Sequence, residues 1–67
     1  AEVTRQTQRY GEEADRLYAE GRIAEAARAW QRSLELDADQ PAVRERLERA
    51  RRVLENLERL RDGAGQP

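Results

Sequence analysis

Ser33 is the only serine of this 67-residue chain, and no histidine or cysteine exists to activate it or to replace it. A hydroxyl nucleophile needs a neighbouring base to take its proton, and imidazole is the commonest such group. Ser33 therefore reads as a small interior residue, and the chain as a non-enzyme with no catalytic residues. Asp37 and Asp39 form a D-x-D that could contribute to a hard-cation site. Calcium asks for six or more oxygen ligands on a glycine-bearing loop, and residues 37–41 contain no glycine. Turn and cap duty is the expected role of these two aspartates. A structural zinc site draws on cysteine and histidine, so no metal and no cofactor is expected. Glu12, Glu13 and Asp15 form a short acidic run that reads as a solvated helix face.

The elements that position these residues follow from composition and spacing. A chain of this size has a marginal core, worth roughly 3–5 kcal/mol of net stability, and no disulfide supplements it. Charged residues make up 40% of the sequence, with Ala, Glu, Leu and Arg in excess; together with apolar periodicity this predicts an all-α fold rather than a disordered chain. The first helix is expected over about 4–20, with Val3, Tyr10, Ala14 and Leu17 on one stripe and Gly21 ending it. A second is expected over 24–36, turning Ile23, Ala26, Ala27, Trp30, Ser33 and Leu34 inward. Residues 37–40 form the turn, with Asp39 or Gln40 as the cap and Pro41 in a first helical turn that has no use for its missing N–H. The third helix is expected over 41–61, stopped by Gly63. The expected organisation is thus one domain over 1–62 and a disordered tail over 63–67.

The run from Tyr10 through Ala14, Leu17, Gly21, Ala26, Trp30 and Ser33 to Leu34-Glu35-Leu36-Asp37 resembles one tetratricopeptide repeat, whose signature alternates bulk and small residues at these intervals. Two antiparallel helices approach closely only where one presents small side chains to the other's bulk. Ala14 and Ala26 fit as the small contacts and Trp30 as the bulk. Tyr10, Leu17, Leu34 and Leu47 complete the expected core. The chain departs from the family pattern at Glu13, where leucine is usual, at Leu17 (tyrosine) and at Ala38 (proline). Glu13 is unsuited to packing on a preceding repeat. The resemblance implies a helix-turn-helix unit followed by a third helix, and a protein-binding function.

The third helix resembles the solvating helix that closes such an array, because Arg44, Glu48 and Arg51 stand where a further repeat would place bulk or a small contact. Val43, Leu47 and Ala50 face inward. Beyond them Val53, Leu54, Leu57 and Leu60 prolong the stripe at intervals near a heptad seam. Large aliphatics left in water form the kind of patch that a soluble monomer hides. Two expectations follow: the long first helix lies alongside and buries these residues, or they form a self-association surface, a dimer being the favoured assembly with arginine–glutamate pairs setting its register.

Residues 42–62 carry a net charge of +2 and residues 1–41 a net −3. Glu45, Glu48, Glu55 and Glu58 are interleaved with the arginines at helical spacing, where pairs within the helix contribute a few tenths of a kcal/mol each. A nucleic-acid footprint wants a basic domain with exposed aromatics, whereas this chain has a pI near 5.5 and 4% aromatics; no nucleic-acid partner is expected. No segment approaches the ~18 apolar residues of a membrane span. By the resemblance, a peptide would lie on the first-helix face, over Gln8, Gly11, Glu12, Asp15, Tyr18 and Ala19, with Tyr18 as anchor. Gly11 and Asp15 are unsuited to clamping a peptide carboxylate.

The expected function is a protein-interaction module: self-assembly of a longer protein through Val53, Leu54, Leu57 and Leu60, or an adaptor that takes a heterologous peptide or helix on the first-helix face or on the same stripe. The absence of methionine, residue 1 included, fits a segment of a longer polypeptide. The all-arginine basic set fits GC-rich bacterial coding. The compartment, cytoplasmic or periplasmic, stays open.

Overall fold

A computed structural model describes residues 2–64, and the side chains as far as Arg61. The fold is all-α. Helices α1 (Glu2–Ala19), α2 (Ile23–Leu36) and α3 (Pro41–Ala64) follow one another, with α2 packed between the other two. The first helix begins at Glu2, two residues before the expected start. The third runs through Gly63, which therefore does not stop it; a helical glycine costs only about 1 kcal/mol relative to alanine. Of the expected disordered tail, Gly63 and Ala64 are helical, and 65–67 lie outside the described residues.

The two turns are closed by local chemistry. After α1, Gly21 adopts φ +83°, a left-handed conformation that glycine enters without steric cost. Its N–H donates to Tyr18 O and that of Arg22 donates to Leu17 O, at 3.0 and 2.9 Å, the paired bonds of a Schellman ending. After α2, Asp37 Oδ1 accepts the Asp39 N–H at 3.1 Å, so the D-x-D serves a turn. Gln40 precedes Pro41, and its carbonyl accepts the first helical bond of α3 from Arg44 N. Its side chain does not cap α3. It turns back instead, Nε2 donating to Ser33 O and Asp37 O at 2.9 and 2.7 Å, and thereby satisfies carbonyls left open at the end of α2.

Ser33 is fully buried, its Oγ 3.3 Å from both Thr7 O and Gln40 Oε1. The hydroxyl has one proton to share between these two acceptors, and it marks the level at which α1, α2 and the α3 turn meet. The core around it holds Ala14, Leu17, Ala26, Ala27, Trp30, Leu47 and Ala50 as expected, together with Ala29. Leu34 packs partly buried at its edge. Tyr10 differs from its expected core role: it is half-buried and lines a surface groove with Glu13 and Leu17.

The helices are offset along their axes. Thr7 lies level with Ser33 and Gln40, and Asp15 reaches Arg46, so α1 runs parallel to α3 but displaced toward its N-terminal end. The first turns of α1 project at one end and the last turns of α3 at the other. This displacement accounts for a length of 55 Å, well beyond the ~36 Å of a 24-residue helix alone.

Gly11 sits within α1, and a Cβ built there meets nothing within 4 Å. Gly11→Ala is expected to stabilise the chain by about 0.5–1 kcal/mol through helix propensity and a restricted unfolded state. A rise in the urea midpoint without a change of slope checks this.

Candidate interaction surface

Each side of α3 carries a different set of residues. Val43, Leu47, Ala50 and Leu54 recur at four- and three-residue intervals and pack against the core. Beside them, Arg46, Arg49, Val53, Leu57 and Leu60 also recur at three- and four-residue intervals, so they form a second strip along the helix. Its N-terminal half faces α1. There Arg46 and Arg49 line a cleft of ≈ 150 Å³ with Asp15, Tyr18 and Trp30. Arg46 Nη1 lies 3.7 Å from Asp15 Oδ1 across it. Both partners are about half exposed, which makes the pair worth at most ~1 kcal/mol.

Tyr18 and Trp30 stack obliquely beside this cleft, ring centroids 5.7 Å apart and planes 47° from one another. Trp30 is 3% exposed, and its Nε1–H is buried with no hydrogen-bond partner among the described residues. A buried unpaired donor costs about 1–3 kcal/mol; the area buried by the ring has to exceed that cost.

The C-terminal half of the strip has no such neighbour, because α1 ends at Ala19. Leu57 is 52% exposed and Leu60 70%, while Val53 and Leu54 are half-buried. Burial of the whole stripe by α1, one of the two expectations, therefore does not occur. The first turn of α1 projects at the opposite end of the molecule, where Val3, expected on its buried stripe, stands 47% exposed. Leu54 and Leu57 instead border a surface concavity of ≈ 290 Å³ against the first turn of α2.

Of the expected first-helix groove, Asp15 and Tyr18 line the cleft; Gln8, Gly11, Glu12 and Ala19 do not. Arg46, Arg49 and Trp30 are the residues that sequence reasoning left out of it. Arg46 and Arg49 stand three residues apart on α3, a spacing that marks a shared face, but nothing local shows that α1 lies opposite.

The interleaved charges of α3 form no pair within the helix among the described residues. Among the described residues the ion pairs are Arg22 with Glu20 and Glu25, and Arg46 with Asp15. Exposed pairs at these spacings gain too little to hold two long side chains in one geometry. The described residues contain no group of three or more metal-binding side chains and no helix long and apolar enough to cross a membrane. Comparison with protein families, curated proteins and solved structures finds no match to this chain.

Proposed function

We propose that this chain is a non-catalytic protein–protein interaction module, the closing unit of a tetratricopeptide-like helical array, whose working surface is the projecting half of α3. The observation that carries this reading is the exposure of Leu57 and Leu60 beside the half-buried Val53 and Leu54 on a helix end that lies beyond the reach of α1. Single exposed leucines are ordinary on protein surfaces. A contiguous strip of aliphatics is what marks a contact surface.

Two occupants fit the strip. A second copy would make the module an assembly device for a longer bacterial protein, in line with the near-heptad spacing. A helix from another protein would make it an adaptor. One specific observation favours the adaptor: arginines, and no glutamate of α3, share the strip with the leucines, and the carboxylates at its border, Glu20 and Glu25, are already paired with Arg22.

Leu57→Glu is expected to leave helix content and folding stability nearly unchanged, since the residue is half exposed and surface substitutions usually stay within about ±0.5 kcal/mol. The same change abolishes capture of whatever covers the strip. Circular dichroism together with light scattering from a few micromolar upward reads both. Unfolding at every concentration would place Leu57 in the intramolecular core and refute the reading.

A further inference from the structure

The charges around the projecting strip are sorted by sign. Placed at ~100° per residue, Glu48, Glu55 and Glu58 fall about 140–160° around α3 from the midline of the strip formed by Arg46, Arg49, Val53, Leu57 and Leu60. Glu45 lies on the shoulder of the strip, but near the Gln40 end, remote from the leucines. At the apolar end the shoulders are Asn56 and Arg61. From α1, Asp15 lines the cleft and already stands beside Arg46. Arg22, at the border of the concavity next to Leu54 and Leu57, is answered by Glu20 and Glu25. Arg49 and Arg61 have no ion-pair partner among the described residues.

A basic–apolar–basic pattern results: arginines at the cleft end, aliphatics in the middle, an arginine beyond. Two copies meeting strip to strip would desolvate these guanidinium groups against carboxylates that are either remote from the leucines (Glu45) or already paired (Asp15 with Arg46, Glu20 and Glu25 with Arg22). Juxtaposed like charges suppress a partner, whereas a complementary one is favoured in affinity and association rate. From Arg49, at the edge of the cleft, to Arg61 the strip spans about 18 Å at 1.5 Å per residue. That length matches a partner helix of some three turns.

Resting on the reading of this strip as a contact surface, we propose that its occupant is an amphipathic acidic helix of another protein, with apolar anchors on Val53, Leu57 and Leu60 and carboxylates set against Arg49 and Arg61. Apolar contact supplies the docking, and the arginines select the partner's sign. Recognition by a helix laid along an apolar strip uses anchors at i, i+3, i+4 and i+7.

The test uses the full chain and two synthetic helical peptides of about 15 residues. They carry the same leucines on one face, flanked in one by glutamates and in the other by lysines. Fluorescence anisotropy is expected to show the acidic peptide binding at least about tenfold more tightly, with the margin shrinking as salt is added. The double variant Arg49→Glu, Arg61→Glu should reverse the preference, and Leu57→Glu should abolish binding of both peptides. Equal binding of both would overturn the charge selection while leaving the contact surface standing. No binding, with a dimer that persists on dilution and is dissolved by Leu57→Glu, would overturn the proposal in favour of a second copy. No binding by a chain that stays monomeric at all concentrations would overturn the proposal and the contact-surface reading together.

Discussion

Trp30→Ala is expected to unfold this chain. Trp30 is 3% exposed and sits in the one cluster that joins the three helices, among Ala14, Leu17, Ala26 and Leu47. Truncating a buried tryptophan to alanine costs ~3–5 kcal/mol, the lost transfer energy plus the cavity. A core of this size without disulfide or metal supplies about the same. The alanines around the site cannot refill the space, since they have no rotamers to move. Part of the loss is returned, because the unpaired Nε1–H is removed with the ring. Trp30→Phe separates the two effects. It keeps most of the apolar area, deletes the unpaired donor, and should remain folded with a midpoint far nearer the parent. Far-UV circular dichroism under urea titration distinguishes the cases, and a Trp30→Ala chain with an unshifted midpoint would show that the core is not organised around this ring.

Ala26→Leu should destabilise the chain by about 1–3 kcal/mol through overpacking. Ala26 and Ala14 are both fully buried and belong to the same cluster, so extra methylenes at Ala26 have to push α1 and α2 apart or adopt a strained rotamer. Leucine is as good a helix former as the surrounding residues, which removes propensity as an explanation of any loss. Ala24→Leu, at an exposed position of the same helix, is the control and should shift stability by less than about 0.5 kcal/mol. In a domain this small 1 kcal/mol corresponds to roughly 4–8 °C in Tm, so thermal melts of the two variants should be well separated. Coincident melts would mean that small side chains are not what brings α1 and α2 together.

The helices themselves were legible before any coordinates, because each is written in a local code. Residues at three- and four-residue intervals mark a face, and Gly21 marks the end of α1 by the positive φ that it adopts. The inward set of α2, Ala26, Ala27, Trp30 and Ser33, follows from the same period. Local signals were weaker at element ends. Gly63 carries the composition of a stop, yet the helix continues past it, because one glycine's propensity penalty is small beside the hydrogen bonds that it leaves intact. Gln40 stands in a cap position but spends its amide on the carbonyls of the preceding helix. Which end of a turn a side chain serves depends on where that end lies in space, and spacing does not encode it.

Residue spacing alone accounts for the three helices and for the inward faces of α2 and of the first half of α3. It mispredicts the first half of α1, where Val3 is exposed and Tyr10 half-buried. The axial offset between α1 and α3 emerges only from packing. That offset sets Asp15 and Tyr18 across from Arg46 and Arg49, leaves Leu57 and Leu60 beyond the reach of α1, and sends the first turn of α1 to the far end of the molecule. The difference is one of range. Periodicity reports the rotation of a residue about its own helix axis, a property of a few neighbours along the chain. Displacement along that axis relative to another helix is set by contacts between residues far apart in sequence, here the hydroxyl of Ser33 and the ring of Trp30 acting through α2.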